Sequence, residues 1–149
     1  MLFRSGVSVG AADSVEPLAF LTSRGFTRAF IEERALMPIL FAEDWDAEAG
    51  AWKAVDPEEQ PDIREAVKFF DEKVRTVDQN TRTGLVTLTV EWTDPEIAAA
   101  WANELVDRLN ERMRQRALAN VERNLEYLRM ELSATSVVTL QQSISRLIE

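Results

Sequence analysis

Apolar residues recur at helical spacing early in the chain, with Leu18, Leu21, Phe26, Phe30 and Ile31 on one broad stripe and Ser14 placed to cap it. This pattern predicts one helix near residues 15 to 35. The segment Leu36-Met37-Pro38-Ile39-Leu40-Phe41 reads as a short buried turn of helix. The acidic stretch that follows reads as a loop held down by Trp45 and Trp52. After the punctuation of Pro57 and Pro61, Pro61-Asp62 suits the first turn of a helix that carries Ile63, Val67, Phe70 and Val74 and ends near Lys73. Period-two alternation then takes over: Val74 to Val77, a polar turn through Asn80-Thr81-Arg82-Thr83-Gly84, and a strand from Leu85 to Trp92 with Val86, Leu88, Val90 and Trp92 on one face. The pair predicts a hairpin.

Thr93-Asp94-Pro95-Glu96 is a helix start, with a cap candidate, proline in the first turn and acidic side chains at the positive dipole end. No glycine or proline occurs after Pro95. A helix from Glu96 to Leu132 reaches roughly 55 Å at about 1.5 Å per residue, more than a domain of this size needs, so it is predicted to project. A break is predicted near Ser133-Ala134-Thr135-Ser136, followed by an amphipathic piece with Leu140, Ile144 and Leu147. The chain stops at Glu149 without a capping signal, which predicts that the natural protein continues. The expected fold is α+β and mostly helical: a small mixed sheet with packed helices in a base over about residues 1–95, and a long projecting helical arm over about 96–149, together one domain.

Composition narrows the chemistry. Apolar residues make up 46% and charged residues 29%, the balance of an ordered chain. A net charge of -9 argues against nucleic acid as a partner, because phosphate neutralisation needs a basic surface. Of 17 basic residues only Lys53, Lys68 and Lys73 are lysines, so the positive charge is almost all guanidinium, suited to ion pairs and oxyanions. The sequence holds neither cysteine nor histidine, which removes the usual zinc sites and the Cys-His and Ser-His-Asp systems; no cofactor is expected. The longest apolar stretch, about Ala35 to Ala42, contains Pro38 and is far short of the ~20 residues of a membrane span. Met1 to Val9 lack the charged start and apolar run of a signal peptide.

Several stretches carry a family resemblance: Thr83-Gly84-Leu85-Val86-Thr87-Leu88-Thr89-Val90, Asp94-Pro95-Glu96-Ile97-Ala98, Ala102-Asn103-Glu104-Leu105-Val106-Asp107-Arg108-Leu109-Asn110-Glu111, and Asn124-Leu125-Glu126-Tyr127-Leu128 with Glu131-Leu132. Upstream, Leu21-Thr22-Ser23-Arg24-Gly25-Phe26, Phe30-Ile31-Glu32-Glu33 and Leu40-Phe41 with Trp45-Asp46 add to it. In this order they resemble the periplasmic domain of Wzz-type polysaccharide chain-length determinants, or polysaccharide co-polymerases. The resemblance implies a non-catalytic scaffold at the periplasmic face of the bacterial inner membrane. Such a scaffold is homo-oligomeric, is flanked by a membrane helix on each side, and works with a polysaccharide polymerase and its lipid-linked glycan. It would set the length of a surface polysaccharide, whether lipopolysaccharide O-antigen, capsule or exopolysaccharide. Both membrane helices and the segment that returns from the helical arm are missing here, so the chain is expected to be a fragment of that domain. The same module can also belong to a capsule-type tyrosine autokinase, as its periplasmic sensor or scaffold region.

Two sets of side chains are candidates for contact. Arg108, Arg112, Arg116 and Arg123 fall within one sector of about 80° at 3.6 residues per turn, giving a basic face that either meets glycan, lipid phosphate or a neighbouring subunit, or is a solvated face with pairs such as Glu104 to Arg108. Val121, Leu125, Leu128 and Leu132 lie late in the helix with little of this chain to pack against, and so call for a return helix or a second subunit. Trp92 and Trp101 could stack on sugars, but their places on the apolar strand and helix faces favour packing of helix on sheet. Asp44, Asp46 and Glu48 could hold calcium, though the glycine and distal glutamate of an EF-hand loop are absent. A carboxylate-based glycan hydrolase stays open as a third class, although nothing in the sequence selects a catalytic pair.

Overall fold

The computed structural model describes residues 3–9 and 15–148. It has the α+β, mostly helical composition expected from the pattern. Two compact units divide it, Met1–Leu109 and Asn110–Glu149.

In the first unit the hairpin forms as the alternation requires. Strand β4 (Arg75–Gln79) pairs antiparallel with β5 (Val86–Trp92), and the connection closes on Asn80, whose side-chain oxygen accepts from the N–H groups of Arg82 and Thr83. Gly84 takes φ 71°, a left-handed conformation open to glycine at little cost. The other edge of β5 pairs antiparallel with β1 (Phe3–Val9), in the order β1-β5-β4. This first strand was not expected, since Gly6, Ser5 and Ser8 dilute its apolar alternation, and its partner residues lie far along the sequence, Phe3 opposite Trp92 and Val9 opposite Val86. Among the described residues every ladder is antiparallel, where a mixed sheet was expected.

Val86, Leu88 and Val90 are buried and define the covered face of the sheet. Residues directly opposite share a face, which brings Arg75, across from Val90, onto that same side. Helices cover it. The predicted 15–35 helix is two: α1 (Val15–Leu21) and α2 (Arg24–Glu33). They part at Ser23, whose backbone is extended (φ −69°, ψ 129°), while the Thr22 hydroxyl returns to the Leu18 carbonyl at 2.8 Å. Short polar side chains that bond locally favour such breaks. The Ser14 cap lies outside the described residues. Helix α2 ends with Ala35 at φ 49°, and Leu36 N–H reaches back to the Ile31 carbonyl at 2.9 Å, a left-handed helix stop usually filled by glycine.

Helix α3 (Met37–Leu40) is the short turn expected, and the tryptophan loop contains a two-residue ladder, β2 (Trp45–Asp46) with β3 (Ala51–Trp52), its indoles 5.0 Å apart. Helix α4 (Ile63–Phe69) opens with a capping box in which Asp62 accepts from Arg64 and Glu65 N–H, and Glu65 accepts from Asp62 N–H. Its last turn widens to a π-turn over Phe70–Val74. Helix α5 (Pro95–Ile148) then runs without interruption. The predicted break at Ser133–Ser136 is overturned: the hydroxyls of Ser133, Thr135 and Ser136 accept no competing partner and instead donate to the carbonyls four residues back, each at 2.9 Å, which satisfies them within the helix.

The start of α5 belongs to the first unit's core. Ala98, Trp101, Ala102, Leu105 and Leu109 are buried on one stripe. The Trp101 ring stands 5.2 Å from Trp92, 6.0 Å from Phe70 and 6.5 Å from Phe30, so packing of helix on sheet is indeed its role.

Below this cluster sits a buried polar group. The Arg75 guanidinium, 4% exposed, donates to Asp71 at 2.6 Å and to the Thr27 hydroxyl at 2.9 Å. Having accepted from Arg75, that hydroxyl donates onward to Asp71 at 2.9 Å. Burial pushes the Arg75 guanidinium below its ordinary range, and Asp71 partly restores it. A charge so placed tolerates poorly the loss of its partner. Asp71→Ala should therefore lower stability by about 3 kcal/mol in urea unfolding followed by circular dichroism, whereas the paired change Asp71→Leu with Arg75→Met should recover most of that loss.

Candidate functional site

The sequence-predicted arginines do not act as one set. Arg108 is drawn into the first unit: it donates to Glu33 at 2.6 Å and to Glu104 at 3.0 and 3.2 Å, and its guanidinium carbon lies 5.2 Å from the Phe30 ring centre. Arg34 meets the other Glu104 oxygen at 3.0 Å. Partial burial pulls the Arg108 guanidinium down, and its hydrogen bonds to Glu104 and Glu33 outweigh that, leaving it above its ordinary value. Arg108 is thus a brace between α5 and α2.

Arg112, Arg116 and Arg123 are exposed in the second unit, where Arg123 bonds to the Ala119 carbonyl and to Asn120 Oδ1. On the same stretch of helix lie Val121, Leu125, Leu128 and Leu132. Leu118, not singled out from the sequence, extends them into a run with alternating steps of three and four, the spacing of a coiled-coil seam. All five are 48 to 69% exposed. At about 100° per residue the seam stays within about 40° of its mean direction, and the three arginines fall on the opposite side of the helix. One helix therefore presents an apolar edge and a basic edge back to back.

A second feature escaped the sequence reading altogether. Between α2 and α4 lies a cavity of about 540 Å³ lined by Arg24, Arg28, Arg64 and Lys68, with Asp71 and Glu72 also on its wall and Ile63 and Val67 contributing apolar surface. These cations are spread over two helices some forty positions apart, so no local pattern announced them. Arg28 pairs with Glu32, and Arg64 with Asp62, both at the surface. The carboxyl of Asp62 is held below its ordinary value by its hydrogen bonds to the Arg64 side chain and to the Glu65 and Arg64 backbone.

The acidic tryptophan loop is held by local hydrogen bonds. Asp46 accepts from the N–H groups of Glu48 and Ala49, and among the described residues no group of three carboxylates is placed to hold a metal ion. No helix is long and apolar enough to cross a membrane among the described residues. In comparison with known proteins, the sequence matches no family model, and no curated protein matches it significantly.

The two kinds of arginine are separable by measurement. Arg108→Ala should cost about 1–2 kcal/mol in urea unfolding, from a half-buried charge pair and a cation–π contact, whereas Arg112→Ala should stay within about 0.5 kcal/mol of the parent.

Proposed function

We propose that this chain is a non-catalytic, self-associating scaffold, and that it serves as the periplasmic part of an inner-membrane polysaccharide co-polymerase that regulates the length of a surface polysaccharide. The observation that carries self-association is the exposed seam Leu118, Val121, Leu125, Leu128 and Leu132 on α5. Five large apolar side chains in line along a helix gain from burial against a matching helix, at roughly 25 cal/mol per Å² of apolar surface covered. The seam's spacing suits a second copy of the same helix, since identical ridges interdigitate in a symmetric pair. The polysaccharide role rests on the sequence resemblance and its order of motifs.

In this reading the protein makes and breaks no covalent bond. It alters polymer length through how long the polymerase keeps its growing product, a matter of binding and geometry. Side chains on α5 then matter by degree, and the basic edge opposite the seam is a candidate surface for glycan, lipid phosphate or a neighbouring subunit's carboxylates.

The protein extracted from its native membrane in detergent should have the mass of a homo-oligomer, and Leu125→Glu with Leu128→Glu should reduce that mass; a monomeric parent protein overturns the reading. In cells, Arg112→Glu with Arg116→Glu at normal expression should shift the ladder of surface polysaccharide lengths on a gel. Loss of all polymer, with the variant folded and inserted, would point to a direct part in synthesis and count against a scaffold.

A further inference from the structure

We infer that the cavity between α2 and α4 is a binding site for a phosphate or diphosphate group, held chiefly by Arg24 and Lys68. Its wall carries four basic side chains against two acidic ones, and one of the two acids, Asp71, is already committed to Arg75 and Thr27. Among the described residues neither Arg24 nor Lys68 has an ion-pair or side-chain hydrogen-bond partner, while their neighbours Arg28 and Arg64 are each paired with a carboxylate. Two exposed cations lining one concavity, in a chain whose net charge is -9, make a local excess of positive charge that runs against the overall electrostatics of the protein. An anion bound between them gains a charge-assisted hydrogen bond from each.

The neighbours strengthen the case for a dianion over a single carboxylate. Arg28 and its partner Glu32 are both about half exposed, and such a surface pair contributes little, so the Arg28 guanidinium can turn to an incoming phosphate at small cost. Arg64 is bound through two nitrogens to Asp62 and stays with the helix cap. At the start of α2, Gly25 also lines the cavity, and a Cβ there would meet only the Ser23 hydroxyl at 3.7 Å, so bulk is not what keeps the space open. Ile63 and Val67 supply an apolar wall beside the cations, which suits a phosphate carried on an apolar group as well as free diphosphate. The remaining acid, Glu72, opposes the anion and sets a limit on affinity.

Isothermal titration of the full chain with inorganic pyrophosphate, at low and at raised salt, tests the assignment. Saturable binding is expected, weakened at least tenfold in Arg24→Ala with Lys68→Ala and strengthened in Glu72→Gln. Arg82→Ala with Arg129→Ala, which removes equal charge elsewhere, should leave it unchanged. Circular dichroism of each variant establishes that the fold is kept; Arg24→Gln with Lys68→Gln serves if the alanine pair unfolds. Absence of saturable binding, or equal weakening by the Arg82 and Arg129 pair, overturns the site. Sedimentation with vesicles of phosphatidylcholine, with and without phosphatidic acid, separates the sources: retention by the phosphatidic acid vesicles that pyrophosphate competes away assigns a lipid phosphate, and pyrophosphate binding without retention assigns a soluble one.

Discussion

The first unit depends on the burial of one indole. Trp101 is 3% exposed and meets aromatic rings from α2, from the π-turn and from β5. Aromatic pairs of this kind contribute about 0.5–1.5 kcal/mol each beyond the area they bury. Because Trp101 sits about two turns into α5, its contacts anchor the start of that helix to the sheet and to the helices over it. Ala98, Ala102, Leu105 and Leu109 follow on the same stripe, and the small residues at 98 and 102 let the helix backbone come close. At the edge of this apolar patch Arg108 with Glu33, and Arg34 with Glu104, add directional ties from α5 to the end of α2, so the helix is fixed in rotation as well as in position.

A polar counterpart lies at the end of α4. The π-turn Phe70–Val74 adds one residue to the last turn, which places Asp71 within reach of Arg75 while Phe70 and Val74 stay buried. The Arg75 charge can then occupy the covered face of the sheet, beside the buried Val90, only because Thr27 and Asp71 satisfy it. Hydrogen bonding that joins α2, the π-turn and β4 specifies how α2 lies over the hairpin, where apolar contact alone would allow sliding. The same arrangement removes Asp71 from competition for cations in the neighbouring cavity. A structural network and a basic groove therefore share one carboxylate.

Past Leu109 the character of α5 changes. Burial ends, and from Asn110 to Leu147 every residue but Met113 is exposed. Tertiary packing, which supplies most of the stability of helices in proteins, does not cover this stretch. Local pairs such as Arg114 with Glu111 contribute a little each, and the apolar seam contributes nothing until another surface covers it. The proposed self-association thus bears on the stability of the helix as well as on function.

Periodicity alone was enough to determine the hairpin, α4, the short turn at Met37–Leu40 and the start of α5, because each is coded by local signals: alternation, a capping box, proline at a first turn. Four members of the exposed seam, Val121, Leu125, Leu128 and Leu132, were also legible, because helical spacing puts them on one stripe. Other features were decided by tertiary structure. Strand β1 exists through its pairing with β5, and no local propensity at Gly6 or Ser8 asks for it. Ser23 divides the first helix because its two halves pack differently, while Ser133–Ser136 does not divide the last, although both stretches offer the same short polar side chains. The sequence grouped Arg108 with Arg112, Arg116 and Arg123 by angle, and only the fold, by bringing Glu33 beside it, set Arg108 apart. The cavity of Arg24 and Lys68 is the extreme case. Its charges lie on separate helices, and convergence of separate helices is a property of packing, which no one-dimensional pattern contains.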